Sequence, residues 1–270
     1  MNYSIRFSVL AFLLLIVASL SFAQATREVK KSVSLAADGT LSLDTYKGSI
    51  TITTWDKNEV EIVAVIEADD EMWSRGDDEA KVEDTEIRID GSGGEVRIKS
   101  DYDKLKRRSS KLWGIFDGDT GSLPFVHYTI KMPATADLRV KDYKSESNIT
   151  DVKGDITFDT YKGEVNMTGV EGAMDFETYK GDVRIAFTTF KSSNRFETYK
   201  GEIEIVVPRN SGFELDADMG DKGDLRTDFT VSERSRSRRD RSRLYQGDVN
   251  GGGPRLTLET YKGTYRLREG

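Results

Sequence analysis

The side chains with chemistry to offer recur at a fixed spacing. The peptide Thr-Tyr-Lys-Gly occurs five times, so that Tyr46, Tyr161, Tyr179, Tyr199 and Tyr261 each precede a lysine and a glycine, and a worn sixth copy reads Asp142-Tyr143-Lys144-Ser145. Tyr143, Tyr161 and Tyr179 follow one another at 18-residue steps and Tyr199 comes 20 residues later. Exposed aromatic side chains are enriched at binding surfaces, so a row of them is a candidate platform for sugar rings or a partner protein. The structural alternative is a stack that simply supports a sheet, each cross-strand pair contributing roughly 0.2–1 kcal/mol. Lys162, Lys180 and Lys200, with Lys144, would form a like-charged row, which destabilises neighbouring strands. Asp159, Glu177 and Glu197 before the row, and Glu164, Asp182 and Glu202 after it, make the stripe nearly neutral. Exposed pairs of this kind are worth ~0–1 kcal/mol each, so they serve chiefly to make stacking tolerable. A divalent cation between carboxylate rows is the other use for such acids, although no EF-hand spacing supports one.

Arg234, Arg236, Arg238, Arg239, Arg241 and Arg243, interleaved with serine and aspartate, are the strongest local charge run. Their electrostatics suit anionic lipid headgroups or an acidic polysaccharide; the bland alternative is a solvated insertion without a partner. Lys104, Lys106, Arg107, Arg108 and Lys111, near Trp113 and Phe116, pose the same choice between an interfacial contact and a loop folded over one end of the domain. Other motifs carry less. Arg75-Gly76-Asp77 is a tripeptide that recurs by chance, Gly251-Gly252-Gly253 lacks the lysine of a phosphate loop and reads as a turn, and His127 lies in an alternating strand. Asp218, Asp221 and Asp224 form the best acid cluster but have no second unique group to make a glycosidase pair. With no cysteine and a single histidine, thiolate sites, cysteine nucleophiles and multi-histidine cages are excluded. No catalytic residue, metal site or cofactor is assigned.

The elements that position these residues follow from periodicity. Ile156, Phe158 and Thr160 alternate with polar residues before the glycine, and Val165 and Met167 after it; Met174, Phe176, Val183 and Ile185 repeat the pattern, as do Phe196, Ile203 and Ile205. Period two means strands. The alternation turns Thr45 and its equivalents inward and every motif tyrosine outward. An 18-residue unit cannot bury its own apolar face, so coils must stack and share an interior. The expected fold is therefore all-β: a single-chain β-solenoid of stacked coils of 18–20 residues with a less regular N-terminal part. An antiparallel sandwich also gives short alternating strands, but offers no reason for one tetrapeptide to recur. After Tyr199 the motif wears: Leu215, Ala217, Lys222, Gly223 and Leu225 fit the template without its tyrosine, which predicts a tyrosine ladder interrupted between Tyr199 and Tyr261. Strands are expected at 60–66, 85–89, 95–98 and 125–132, with a short helix within 67–82.

The chain has 270 residues, 32% charged and 37% hydrophobic, the composition of a globular protein with one sizeable core. Residues 1–23 read as a signal peptide: Arg6, an apolar run from Val9 to Leu20, then the small residues Ser21 and Ala23. An uncleaved anchor is disfavoured because the run is shorter than the ~20 residues of a membrane span. Without Arg6 the remainder carries 39 bases against 47 acids, a net charge of −8, which argues against nucleic acid as a partner. One domain is expected over residues 26–270, with insertions near 101–123 and 230–250.

Tyr128-Thr-Ile-Lys-Met-Pro133, Ala136-Asp-Leu-Arg-Val140 and Asn250-Gly-Gly-Gly-Pro254-Arg-Leu-Thr-Leu258 resemble a bacterial domain-of-unknown-function family labelled putative adhesin, and the similarity covers most of the chain beyond residue 23. Members of that family usually carry a small residue and serine where this chain has Tyr-Lys. The resemblance implies an exported β-solenoid at the cell surface, with no established enzyme activity. The expected role is a periplasmic, cell-surface or secreted binding or structural module meeting a polysaccharide, an anionic envelope component or another protein. The rivals are a lyase-type β-helix enzyme acting on polysaccharide and a sensor of envelope stress working through a protein partner. A catalytic site would break the repeat's symmetry at one coil, whereas the reactive-looking residues here recur in every coil.

Overall fold

A computed structural model describes residues 25–69, 78–105, 123–233 and 243–270. Alternating side chains build one 16-stranded sheet wound upon itself. In chain order come β1 (Thr26–Asp44), β2 (Lys47–Trp55), β3 (Glu59–Glu67), helix α1 (Asp78–Asp84), β4 (Glu86–Asp101), β5 (Phe125–Pro133), β6 (Asp137–Asp142) and β7 (Lys144–Thr150). There follow the long β8 (Ile156–Val170), β9 (Met174–Phe187) and β10 (Asn194–Val207), then β11 (Phe213–Asp218), β12 (Asp224–Thr227), β13 (Ser232–Glu233), β14 (Leu244–Val249), β15 (Arg255–Thr260) and β16 (Thr264–Glu269). Among the described residues no helix is long and apolar enough to cross a membrane.

Each winding has two faces meeting at the tyrosine motif. In β8 the residues Ile156, Phe158 and Thr160 point inward; the outward phase then runs unbroken from Tyr161 to Glu164 before Val165 and Met167 turn in. That slip in phase is the corner, and the glycine sits on it. A Cβ on Gly181 would lie 2.1 Å from the carbonyl oxygen of Gly163, and one on Gly201, at φ +128°, 2.3 Å from that of Gly181. At such distances only hydrogen fits, so the motif's last letter records how closely the coils approach.

Coils pair in parallel and in strict register: Phe158 faces Phe176, which faces Phe196, and Lys162 faces Lys180, which faces Lys200. The core is thus itself laddered, with Phe158 and Phe176 stacked at 5.5 Å. The worn copy shows how a departure is accommodated. Asp142 replaces the inward threonine and Ser145 replaces the glycine; the buried Asp142 carboxylate accepts hydrogen bonds from the Ser145 amide (2.9 Å), the Ser145 hydroxyl (2.6 Å) and the Thr160 hydroxyl (2.9 Å). Burial pushes the Asp142 carboxyl up from its ordinary value, with these three bonds pulling the other way.

The coils do not stack in the order of the chain, which corrects the expectation of simple successive winding. At the C-terminal end β15 and β16 pair with β10 on one side, and with β11 and β12 on the other. The last coil therefore lies inside the coil that precedes it in sequence. The N-terminal end repeats the device: the second half of β1 lies between β4 and β6, and β2 lies between β5 and β7. Antiparallel strands finish the stack, β3 between β1 and β5 at one end and β14 on β11 at the other. The β14 strand falls within the stretch expected as an insertion near 230–250, and β4 joins the two short strands expected at 85–89 and 95–98.

Candidate functional site

The interleaved order restores the ladder that the chain order seemed to break. Tyr46, Tyr143, Tyr161, Tyr179, Tyr199 and Tyr261 stack in that sequence with ring centroids 4.7, 5.0, 4.8, 4.9 and 5.2 Å apart and planes within 13° of parallel. The expected interruption between Tyr199 and Tyr261 is absent because the coil that lacks a tyrosine lies beyond Tyr261. Five steps at ~4.8 Å make a row about 24 Å long. Each of the first five tyrosines is 37–38% exposed and Tyr261 46%, while the preceding threonines Thr45, Thr160, Thr178, Thr198 and Thr260 are buried. Because neighbouring ring faces oppose one another, the row offers solvent mainly ring edges and hydroxyl groups in place of the broad faces a stacked sugar needs.

The two ends of the row differ. Tyr102, absent from the motif list, is buried, donates its hydroxyl to the Pro124 carbonyl at 3.2 Å and meets Tyr46 edge-on at 6.2 Å and 71°. It closes that end. The weak signal for it was Asp101-Tyr102, the same pair as Asp142-Tyr143 of the worn copy. At the far end Gly220 stands beside Tyr261, where a Cβ on it would come 3.3 Å from the Tyr261 carbonyl oxygen.

Lys144, Lys162, Lys180, Lys200 and Lys262 run beside the tyrosines, and among the described residues none of them forms an ion pair within 4.0 Å. Lys162 Nζ lies 5.0 Å from the Tyr161 ring centroid and Lys262 Nζ 4.9 Å from that of Tyr199. The acids therefore offset the lysines in sum but are not paired with them. Lys47, the first of the row, is instead buried against Phe125 and bonded to Asp69 at 2.5 Å.

The acids preceding the motif form a row of their own, read directly from the register. From the N-terminal end it runs Lys99, Asp44, Lys141, Asp159, Glu177, Glu197, Glu259, Asp218. Charge alternates over the first four and is negative throughout the last five. Arg195 answers part of this, reaching Glu197 at 2.5 Å and Glu259 at 3.4 Å. Glu177 lies between Asp159 and Glu197; burial, then the Glu197 and Asp159 charges, hold its carboxyl above the usual range. A groove of about 530 Å³ separates this acidic row from Tyr161, Tyr179, Tyr199 and Tyr261. No three carboxylate or imidazole groups converge as metal ligands among the described residues.

The remaining sequence candidates scatter. His127 is bonded to Ser49 at 2.9 Å and lies 3.4 Å from Glu67, held in its sheet. Asp218 accepts the Gly220 amide and Asp224 pairs with Arg226, so the acid cluster is spent on a turn and a strand. Of the arginine run, Arg243 donates to the Gly223 carbonyl at 3.2 Å; Arg234, Arg236, Arg238, Arg239 and Arg241 lie outside the described residues, as do Arg75-Gly76-Asp77, Lys106, Arg107, Arg108, Lys111, Trp113 and Phe116.

These features define an all-β solenoid with an external aromatic ladder. The chain belongs to the Toastrack DUF4097 family, whose profile matches residues 23–264. No curated protein matches it. Among solved structures it is similar to a putative cell adhesion protein from Clostridium sporogenes, at 15% identity and TM-score 0.49, covering 91% of this chain and 100% of that one. A putative adhesin from Parabacteroides distasonis gives 12% identity and TM-score 0.24 over 89% and 97% of the two chains. A putative lipid binding protein from the same species gives 10% and 0.25 over 88% and 96%.

Proposed function

We propose that this chain is an exported, non-enzymatic binding and structural module of the cell envelope or surface, carrying residues 1–23 as its signal peptide, and that the Tyr-Lys ladder is its contact surface for a linear envelope polymer. The observation behind this reading is the continuity of the row: six tyrosines, the last five of them with an outward lysine beside them, recur at the same interval over about 24 Å. Such a surface meets an extended ligand at many equivalent points, which suits avidity. A lyase needs one base set apart in one coil, whereas the tyrosines recur alike in all six coils of the row.

Purified residues 26–270 incubated with a panel of cell-envelope polysaccharides should bind at least one without releasing product. Tyr161, Tyr179 and Tyr199 changed together to Ala, or Lys162, Lys180 and Lys200 to Gln in protein shown to be folded by circular dichroism, should lower that affinity at least tenfold. Unchanged binding in both variants would return the ladder to a purely structural role, and release of shortened oligosaccharide would replace the module with an enzyme.

A further inference from the structure

The ladder tyrosines are also where one-electron chemistry reaches this chain. Thiols and thioethers ordinarily intercept oxidants, but the chain has no cysteine. The four described methionines, Met132, Met167, Met174 and Met219, are buried in the core. Trp55 is half-buried, with its indole N–H donated to the Glu59 carbonyl at 2.8 Å. The tyrosines themselves divide into two sets. Tyr102, Tyr128 and Tyr265 are buried, and their hydroxyls are bonded to the Pro124 carbonyl, to Ser100 and to the Phe196 and Glu259 carbonyls. The six ladder tyrosines are 37–46% exposed, and among the described residues none of their hydroxyls takes part in a hydrogen bond. Their rings are nearly parallel, with centroids 4.7–5.2 Å apart. Each inner phenol of the row therefore has another phenol against both of its faces.

We propose that the ladder is a site of oxidative cross-linking, in which hydrogen peroxide acting through a one-electron oxidant of the haem peroxidase class joins neighbouring tyrosines by a carbon–carbon bond. Each of two phenols gives up one electron and its hydroxyl proton, which leaves unpaired spin partly on the Cε carbons beside the oxygen. Two such carbons on adjacent rings bond, the hydrogens they carried pass to the oxygens, and both phenols are restored. The two electrons and two protons removed turn one hydrogen peroxide into two waters. Holding the partners in contact converts an encounter between molecules into an event within one. The Cε carbons lie at the solvent-facing tips of the rings, and turning about χ1 and χ2 brings them together without breaking a hydrogen bond. Tyr46 and Tyr143 are 97 residues apart in sequence, and Tyr199 and Tyr261 are 62 apart. Each such bond closes a long loop between coils, a covalent tie in a chain without disulfides. The inference stands whether or not a polymer binds the row.

The test treats residues 26–270, in dilute solution, with hydrogen peroxide and a plant haem peroxidase. The protein should acquire dityrosine fluorescence yet run as a monomer on a denaturing gel, with an intact mass lower by two hydrogens per bond. Peptide mapping should place the bonds between ring neighbours, Tyr46 with Tyr143, Tyr161 with Tyr179 and Tyr199 with Tyr261 among them, and none at the partly buried Tyr245. The melting temperature should rise by about 5 °C or more. Tyr179→Phe keeps a ring in the stack but has no hydroxyl hydrogen to lose, so it should remove the bonds at that position and leave those of Tyr46 with Tyr143 and Tyr199 with Tyr261. Protein unfolded in urea should lose this pattern. No loss of hydrogen, bonds chiefly between molecules, methionine or tryptophan oxidised in place of tyrosine, the same map from unfolded protein, or an unchanged melting temperature would each overturn the inference.

Discussion

Replacing Tyr179 with Ala deletes a ring from the middle of the ladder and severs two stacks, at 4.8 Å to Tyr161 and 4.9 Å to Tyr199. An aromatic pair is worth ~0.5–1.5 kcal/mol beyond area burial, so two stacks amount to about 1–3 kcal/mol. At ~2–4 °C per kcal/mol for a chain of this size, a central loss of about 2 kcal/mol should lower the melting temperature by about 4–8 °C. Among the described residues Tyr261 has one ring neighbour, at 5.2 Å, and its replacement should cost about half as much. The sharper measurement is a pair of double-mutant cycles followed by thermal and urea unfolding. Tyr179 with Tyr199, which touch, should show a coupling of ~0.5–1.5 kcal/mol. Tyr161 with Tyr199, which have Tyr179 between them, should be additive within ~0.5 kcal/mol. A cost at Tyr261 equal to that at Tyr179, or equal coupling in the two cycles, would refute the claim that the stabilisation resides in nearest-neighbour stacking.

Two further predictions bear on the fold. Gly181→Ala drives a Cβ to 2.1 Å from a backbone oxygen of the next coil and should destabilise by more than ~2 kcal/mol, whereas Gly94→Ala, with open space around it, should stay within ~0.5 kcal/mol; equal melting temperatures would remove the close approach as the reason for the motif's glycine. The Asp142 carboxyl has its folded-state pKa raised by burial, so its contribution to stability is fully present below the unfolded value of about 3.9 and is lost as pH rises through the folded value. Asp142→Asn, whose carbonyl can accept from the Ser145 amide and Thr160 while its amide donates to the Ser145 hydroxyl, should abolish that pH-dependent loss and unfold at or above the parent's temperature at neutral pH; an unchanged pH profile by calorimetry would rule this out.

Which way each side chain points was legible up to the corner, because period two leaves no freedom there: once Ile156 and Phe158 are inside, Thr160 must follow and Tyr161 must face out, and the slip in phase at Gly163 then turns Val165 and Met167 inward. Coil order was not legible. Tyr199 can stack on any equivalent tyrosine, and an identical tetrapeptide in each coil holds no information about which neighbour it takes. The choice is made by the strands beyond the repeat, through β11 pairing with both β14 and β15. Tyr102 escaped for a related reason: it occupies a coil whose motif is lost, and only register, with Asp44 opposite Lys99, brings it against Tyr46. The acidic row was visible as residues flanking a lysine stripe, but its separate identity depends on the corner, which places Asp159, Glu177 and Glu197 on one face and Glu164, Asp182 and Glu202 on the other.

The placement of β15 and β16 makes residues 255–269 a keystone. For a chain emerging from its N-terminus, the segment spanning β11 and β12 is made first, and until residues 255–269 are wedged between it and β10 its β11 strand can pair only outward, with β14. A premature stop before residue 255 would remove an inner course of the wall and leave the course built from β11 and β12 parted from β10.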